Sequence, residues 1–279
     1  HVPIGLIETP FQPRLEAIST AKAWTNWAGY ISPAVLDTVE FEYFAIRNQS
    51  TLFDISPMHK YRITGPDALK VVNRLVTRNV AKIRDGRVGY AMWCDEEGML
   101  IDDGTIFKLG PDKFMLTCGS PSLAWLRKAS SGFSRLSIED VSDTIAGLAL
   151  QGPTSCAVLK AMSLVGVEEL KPFQIGHFSF AGGELMVSRT GFTGDLGYEL
   201  WVAPELALTL WDALYSAGAD HGIQPYGESA TNMARMEVGF IMPGMEFNEA
   251  LKTVHFKHDQ TPFELNLGWL VDFKKPHFN

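Results

Sequence analysis

The chain contains 279 residues, of which 46% are hydrophobic and 11% aromatic, so it has enough apolar material for two or three globular domains. Its 32 acidic residues outnumber its 24 basic residues, which gives a formal charge of −8, and no basic run interrupts that balance. This charge argues against nucleic acid and anionic membranes as general partners.

Three widely spaced cysteines, Cys94, Cys118 and Cys156, form no C-x-x-C pair. An odd number without such pairs predicts a reducing compartment and argues against a disulfide framework or a zinc site. The sequence also lacks an apolar span of about 18 residues and a secretory signal, so we predict a soluble, cytoplasmic protein. The first residue, His1, and the unfinished end "KKPHFN" predict that the chain is a fragment.

Strand and helix signals alternate after an irregular, proline-rich arm. A helix is predicted over 37–48 and a strand over 59–65, followed by a helix that begins near Pro66. Residues 87–119 hold short β-rich runs separated by "DEEG" and "GPD", which are hairpin signals. The stretch "SPSLAWLRKAS" predicts a further helix, with Ser120 as its N-cap.

The same order of elements begins again near residue 142. "TIAGLALQG" reads as a strand, "GPTSCAVLKAMS" as a helix, "FSFAGGELMVSRTG" as a hairpin and "PELALTLWDALYSAG" as an amphipathic helix. The chain therefore holds two α+β units of similar order, over 53–141 and 142 to about 222. After the helical run "GESATNMARMEVGF", the last residues indicate the start of a β-rich region.

The stretch "SRTGFTGDLGYELWV" (188–202) spaces three glycines evenly and then alternates as a strand. Glycines suit a close approach of the backbone to another group, although a long turn before a strand has the same pattern. Alternation places Glu199 and Trp201 on one face and Tyr198 on the other. If the Tyr198 face is core, Glu199 faces solvent or a cavity. A carboxylate among aromatic residues suits a flat ligand that offers paired N–H donors.

Two consecutive carboxylates, Asp102 and Asp103, lie within the apolar stretch "GMLIDDGTIF". Alternation sends them to opposite faces, so one of them faces inward and needs a partner or a function. A turn-capping aspartate is an equal alternative, because Gly98 and Gly104 flank the pair.

The remaining candidates each have an ordinary structural explanation. Arg235 and Glu237 in "ARMEVGF" are two residues apart, so on a helix they need separate partners. Arg235 either pairs with Glu199, anchors a ligand carboxylate or forms a solvated ion pair. Met58 suits a soft pocket wall, although such a methionine is more often core.

We predict no metal site. His255 and His258 in "HFKH", followed by Asp259, are the nearest approach to a ligand set, but no further Cys or His cluster completes a tetrahedral site. The sequence also has no G-x-S-x-G, Walker or G-x-G-x-x-G motif, so hydrolase, P-loop and dinucleotide functions lack support.

Five stretches, in order, resemble the glycine-cleavage T-protein (aminomethyltransferase) family. "LFDISPM" resembles L-F-D-V-S-H-M, and "LVTRNVAKIRDGRVGYAMWCDEEGMLIDD" resembles the T-N-D-V, G, Y and G-G-x-x-D-D segments. "LALQGP" is nearly verbatim. "RTGFTGDLGYEL" and "ARMEVGF" resemble R-T-G-Y-T-G-E-x-G-x-E and L-R-L-E-A-G.

The resemblance implies an α+β fold with two ferredoxin-like, antiparallel α+β domains in a cloverleaf arrangement around a central tetrahydrofolate. It also implies a C-terminal β-barrel that is largely absent from this chain. Residues 1–52 and 142–245 are expected to form the first, discontinuous folate-binding domain. Residues 53–141 are expected to form the second domain, and residues 246–279 the start of the truncated third domain.

The resemblance also assigns roles to single residues. Glu199 falls where the family's carboxylate binds the N3–H and exocyclic NH2 of the pterin. Asp103 falls on the family's essential catalytic aspartate, which stabilises positive charge on the transferred one-carbon unit or shuttles a proton. Arg235 falls on an arginine near the folate. The other implied folate-binding residues are Tyr198, Met58, Tyr90 and Asp102.

The implied function is transfer of a one-carbon unit from a small aminomethyl or methyl donor to tetrahydrofolate, with a lipoyl carrier protein as the partner in true T-protein activity. Pro57 departs from the family's usual histidine, and "GDLGYEL" is closer to fused sarcosine and dimethylglycine dehydrogenases and to folate-dependent demethylases. No flavin-binding motif precedes it here, so a fused dehydrogenase is not expected for this chain. Demethylation of an S-, O- or N-methyl donor is therefore the runner-up.

Two alternatives are not enzymes. A non-catalytic folate-binding protein would resemble relatives that carry K-G-C-x-x-G-Q-E, whereas this chain has "RTGFTGDLG" without a cysteine. A degenerate structural paralogue is disfavoured because Asp103, Glu199 and Arg235 are all present.

Overall fold

The computed structural model describes residues 5–252 and 259–278. The chain divides into two compact units, His1–Pro57 with Ser142–Phe240, and Met58–Val141 with Ile241–Asn279. We call these the first and the second unit. Both are built from helices and mainly antiparallel sheet, with one short parallel pair in the first unit, and both are of the predicted α+β class.

The regular elements follow each other in the order that the sequence indicates. The helices are α1 (Gln12–Ile18), α2 (Val39–Asn48), α3 (Ala68–Leu75), α4 (Leu123–Ala129), α5 (Ser155–Ala161), α6 (Ala207–Gly218) and α7 (Glu228–Glu237). The strands are β1 (Ala23–Trp27), β2 (Tyr30–Val35), β3 (Thr51–Asp54), β4 (His59–Thr64), β5 (Arg87–Cys94), β6 (Leu100–Gly110), β7 (Lys113–Cys118), β8 (Ser137–Asp140), β9 (Ala146–Gln151), β10 (Ile175–Phe180), β11 (Gly183–Ser188), β12 (Gly197–Val202) and β13 (Gln224–Pro225).

The first unit contains a six-stranded sheet in the order β10-β11-β12-β9-β3-β13 and the hairpin β1-β2. Its main core lies on one sheet face, which is covered by α1, α5 and α6. Tyr198, Leu200 and Val202 of β12 all point into this core, which confirms the predicted alternation of that strand. On another side of the unit, α2 packs against α7 and α7 packs against β2.

The second unit contains a five-stranded antiparallel sheet in the order β5-β6-β7-β4-β8. One face packs on α3 and α4 through a core that includes Trp93 and Leu116. A separate apolar cluster joins Met92 and Leu100 to Phe247 and Leu270, so the segment after residue 240 covers part of the sheet.

The segment 241–279 differs from the expected start of a β-rich domain. Its described residues, 241–252 and 259–278, form no regular strand beyond a single bridge between Pro243 and Phe247. They group with the second unit because Phe247 and Leu270 are buried there. Lys275 adds a polar anchor, since its ammonium group donates to main-chain carbonyls at the end of α3.

One helix start was predicted wrongly. Helix α4 begins at Leu123 with Ser122 in the N-cap position, two residues after Ser120. The amide of Ser120 instead donates to Asp102 Oδ2 at 3.2 Å, so this serine belongs to the loop that follows β7.

In the described part of the chain, no helix is both long enough and apolar enough to cross a bilayer.

Candidate functional site

In the first unit, Glu199 stands in a row of residues that crosses four strands. It pairs with Ser188 on β11 and with Ala149 on β9, and Ala149 pairs with Phe53 on β3. Directly opposed residues of antiparallel strands share a face, so all four side chains lie on the face opposite the main core. Because Ala149 is small, little side-chain volume stands on this sheet face beside the Glu199 carboxylate.

Two hydroxyl groups hold one oxygen of the Glu199 carboxylate. Thr190 Oγ1 donates to Oε2 at 2.7 Å, and Ser188 Oγ donates to the same atom at 3.4 Å. Among the described residues, none donates to Oε1, and the side chain stays partly accessible. Burial raises the pKa of Glu199, and the two hydroxyl bonds act in the opposite direction. One carboxylate oxygen is thus held while the other is available to a ligand.

Aromatic rings extend the row beyond Phe53. The Phe53 ring stacks on Trp27 with centroids 5.8 Å apart and lies against Tyr226 at 5.2 Å. Burial raises the pKa of Tyr226, and the negative charge of Glu199 raises it further, which places the phenol within electrostatic reach of the carboxylate. Adjacent strands are about 4.8 Å apart, so Glu199 and Phe53 are separated by roughly 10 Å.

The glycines before β12 make room for a protein side chain. A Cβ atom at Gly191 would lie 2.0 Å from Gln151 Oε1, and one at Gly197 would lie 2.1 Å from it. Gln151 Nε2 in turn donates to the carbonyls of Thr190 and Tyr198, at 3.4 and 3.3 Å. The close approach predicted from the glycine spacing is therefore confirmed, but the group that approaches is Gln151 and the result is a fixed loop.

Two predicted folate-binding residues, Tyr198 and Arg235, have buried side chains. Tyr198 projects to the opposite face of β12 and is buried in the main core. Arg235 is fully buried at the end of α7, where Nε donates to Asn232 Oδ1 and Nη1 to the carbonyl of Phe240, both at 2.9 Å. The expected solvated ion pair is formed instead by Arg47 and Glu237.

In the second unit, Asp102 and Asp103 project to opposite faces of β6, as predicted. Asp103 pairs with Met92, and Asp102 pairs with the fully buried Trp93. The inward carboxylate is Asp102, whereas Asp103 stays partly accessible. The alternative of a turn-capping aspartate is wrong for this pair, because Asp95 caps that turn by accepting from the amides of residues 97 and 99.

Asp103 is held by a phenol. Tyr90, two residues before Met92 on β5, lies on the same face and donates its hydroxyl to Asp103 Oδ2 at 2.6 Å. Burial raises the pKa of Asp103 to about 6, while the Tyr90 hydrogen bond lowers it. The pKa of Tyr90 is raised by burial and by the charge on Asp103. Asp103 is therefore ionised at neutral pH but close to its titration range.

The Asp102 carboxylate binds main-chain amides. Its Oδ1 accepts from the amide of Asp103 at 2.8 Å and its Oδ2 accepts from the amide of Ser120 at 3.2 Å. Burial, followed by the charge on Asp103, raises its pKa to about 8. Because it is only 1% exposed, Asp102 supports the backbone around Asp103 and does not face an accessible surface.

Met58 lies immediately before β4, and the register of that strand places it relative to Asp103. His59 pairs with Cys118, which pairs with Gly104, so the residue before His59 comes level with Asp103 two strands away. Tyr90 and Asp103 thus share one sheet face, and Met58, just before β4, stands at a register position level with Asp103.

Sequence reasoning missed Thr190, Ser188, Trp27 and Tyr226 around Glu199. The two hydroxyl residues were visible in "SRTG", but their role depends on the pairing of β11 with β12.

No cluster of three or more metal-ligating side chains occurs among the described residues. His255 and His258 lie outside the described residues.

Comparison with known proteins identifies the family. The model described as "GCVT N-terminal domain" matches residues 16–275. An aminomethyltransferase of Halothermothrix orenii is 36% identical over 254 residues, which cover 90% of this chain and 68% of that protein. An aminomethyltransferase of Caldanaerobacter subterraneus subsp. tengcongensis is 33% identical over 258 residues, covering 91% and 66%.

Solved structures agree with this match. The crystal structure of the glycine cleavage system aminomethyltransferase T from Bartonella henselae superposes with a TM-score of 0.85 at 25% identity, covering 98% of this chain and 72% of that one. Heterotetrameric sarcosine oxidase from Corynebacterium sp. U-96 shares the fold at a TM-score of 0.50 and 17% identity, covering 76% of this chain and 95% of that one.

The fold is therefore that of the aminomethyltransferase-like proteins. The chain belongs to the glycine-cleavage T-protein family, and the resemblance seen in its motifs is confirmed. It spans about two thirds of the length of the curated relatives it matches.

Proposed function

We propose that this protein transfers a one-carbon unit from a small aminomethyl or methyl donor to tetrahydrofolate. Membership of the family supports the reaction class. The observation that carries the proposal is the Glu199 carboxylate, which is partly accessible, contacted at one oxygen by two hydroxyl groups and, among residues 5–252 and 259–278, without a donor at the other. Such a group suits a ligand edge with paired N–H donors.

The residues around Glu199 fit the pterin ring of tetrahydrofolate. Its N3–H and exocyclic NH2 are two parallel donors, which a carboxylate binds in a bidentate manner. The row on the sheet face adds the small Ala149 and then Phe53, whose ring stacks with Trp27. A carboxylate with a small side chain and stacked aromatic rings on the same sheet face suits a flat heterocycle that has polar groups along its edge.

Asp103 is the proposed catalytic residue. When bound, tetrahydrofolate supplies the nitrogen that accepts the one-carbon unit. The Asp103 carboxylate, ionised at neutral pH and held by Tyr90, is equipped for two tasks: it stabilises positive charge that develops nearby, and it accepts a proton when its pKa of about 6 is matched by the reacting group. Met58, level with Asp103 in the strand register, contributes a soft apolar wall.

The donor separates the leading function from its alternative. T-protein activity uses an aminomethyl group carried by the lipoyl group of a partner protein, whereas a demethylase uses an S-, O- or N-methyl compound. Both need a pterin-binding carboxylate and an acid near the accepting nitrogen, so Glu199 and Asp103 serve either reaction.

The experiment is incubation of the full-length protein with tetrahydrofolate and a panel of donors. The panel contains an aminomethylated lipoyl carrier protein, a methyl sulfonium, an aryl methyl ether and an N-methyl amine, and the products methylene- and methyl-tetrahydrofolate are separated by chromatography. A parallel equilibrium titration measures tetrahydrofolate binding.

Methylene-tetrahydrofolate from the carrier protein supports T-protein activity, and methyl-tetrahydrofolate from one small donor supports a demethylase. Binding without product from any donor would favour the non-catalytic folate-binding alternative. A protein that binds no tetrahydrofolate at all would refute the proposal.

A further inference from the structure

We propose that Thr190 is a positioning residue that, together with Ser188, sets the orientation and charge of the Glu199 carboxylate. This inference rests on the proposed function for its ligand. It assigns a role in ligand selection to two neutral hydroxyl groups.

The hydroxyls form a chain that ends on a single carboxylate oxygen. Ser188 Oγ and Thr190 Oγ1 are 2.7 Å apart, and Thr190 Oγ1 donates to Glu199 Oε2 at 2.7 Å. Each hydroxyl has one proton to donate. Since the proton of Thr190 is used by Glu199, the short contact between the hydroxyls requires Ser188 to donate to Thr190. The proton of Ser188 is therefore shared, mainly with Thr190 and only weakly with Glu199 Oε2, from which Ser188 Oγ is 3.4 Å away.

The chain is held rigidly on both sides. Ser188 is fully buried at the end of β11, and Thr190 is 8% exposed. The carbonyl of Thr190 accepts from Gln151 Nε2 at 3.4 Å. The donors therefore have little freedom to follow a rotating carboxylate, and they fix which oxygen is held and which one faces a ligand.

The chain also opposes the effect of burial on the Glu199 carboxyl. Burial raises the pKa of Glu199, and the bonds from Thr190 and Ser188 lower it. Tyr226 is one titratable group in its field, and it stays a neutral phenol at neutral pH because burial and Glu199 both raise its pKa. Without the Thr190 hydroxyl, the carboxyl would take up a proton at a higher pH and lose the ability to accept two N–H donors.

The experiment compares Thr190→Val with Thr190→Ser, and uses Thr193→Val as the matched control. Thr193→Val removes a buried hydroxyl from the same loop, but one that donates to Gln151. Two readouts are needed. The first is tetrahydrofolate affinity between about pH 5.5 and 8.5, and the second is the titration of the Glu199 carboxyl by ¹³C NMR without ligand. Saturated turnover is measured alongside.

For Thr190→Val we expect about 10-fold weaker binding at neutral pH, the size of one lost hydrogen bond to a charged group. The loss should grow as the pH falls, and saturated turnover should change far less than affinity. Thr190→Ser should restore affinity to within about threefold, because it keeps the donor. Thr193→Val should leave the pH dependence of binding as in the wild type.

An unchanged Glu199 titration in Thr190→Val would overturn the inference. Should that variant fail to fold, Ser188→Ala replaces it, with a smaller shift expected in the same direction and an unchanged titration again refuting the role. A wild type that binds no tetrahydrofolate would refute the proposed function alone, since the ligand-free titration still decides the role of Thr190.

Discussion

Glu199 in the first unit and Asp103 in the second are both partly accessible acids on strands, yet their supports differ. Glu199 is held by two aliphatic hydroxyls, with a neutral phenol in its field. Asp103 is held by one phenol and follows a second acid, Asp102, whose pKa its charge helps to raise. The groups that contact Glu199 are uncharged hydroxyls, whereas the pKa values of Asp102 and Asp103, raised to about 8 and about 6, bring proton uptake by this pair close to neutral pH.

The largest test of this contrast is Asp103→Asn. Asparagine keeps the shape and can still accept from Tyr90, but it carries no charge and takes no proton. We expect turnover to fall roughly 10²- to 10⁴-fold, the usual contribution of a general acid–base group, with tetrahydrofolate affinity within about threefold of the wild type. Product formation with the active donor and an equilibrium titration measure the two effects.

Asp112→Asn is the matched control, because Asp112 is exposed in the turn after β6 of the same unit. It should leave both quantities unchanged. If Asp103→Asn turned over at the wild-type rate with every donor, the proposed catalytic role of Asp103 would be wrong.

Glu199→Gln should show the opposite separation. The amide replaces one acceptor oxygen with a donor that faces the N–H edge, so we expect tetrahydrofolate binding to weaken by about 1.5–3 kcal/mol, roughly 10- to 150-fold in Kd. Saturated turnover should change far less than in Asp103→Asn. Glu184→Gln on the neighbouring β11, where the side chain is exposed, serves as the control. Equal losses of turnover and affinity would contradict a purely binding role.

The directions of these side chains were predictable, and their partners were not. Alternation along "GYELWV" and "LIDDG" depends only on the local period of a strand, so the opposite faces of Glu199 and Tyr198 follow from sequence. Which of Asp102 and Asp103 faces the core depends on the pairing of β6 with β5 and β7. That choice is made by long-range register, which a single sequence does not reveal.

Buried polar contacts between distant segments were missed for the same reason. Gln151 lies 40 residues or more from the glycines that accommodate it, yet it explains two of the three. Arg235 was expected near a ligand because of its charge, and its burial at the end of α7 depends on Asn232 and the carbonyl of Phe240. Ser120 satisfied the local rule for an N-cap, but its amide is used by Asp102.

Gly191→Ala tests whether the loop that carries Thr190 is held by Gln151. The new methyl group would lie 2.0 Å from Gln151 Oε1, so we expect overpacking to lower the free energy of unfolding by about 1–3 kcal/mol. Chemical denaturation followed by tryptophan fluorescence measures this change. Gly110→Ala is the control, since its nearest neighbour is 3.8 Å away. Equal stabilities of the two variants would show that Gln151 moves freely.

The smallest expected effect is a shift of the acidic limb of kcat/KM in Tyr90→Phe. With a pKa of about 6, Asp103 is ionised above that pH, so activity should be present at neutral pH and decline as the pH falls through about 6. The Tyr90 hydroxyl lowers this pKa, so its removal should move the limb to higher pH, by less than about one unit. Tyr61→Phe is matched in chemistry, because the Tyr61 hydroxyl accepts from the amide of Ser122, and it should leave the limb in place. If the acidic limb stays fixed in Tyr90→Phe, or moves to lower pH, another group titrates in the wild type and Tyr90 does not lower the pKa of Asp103.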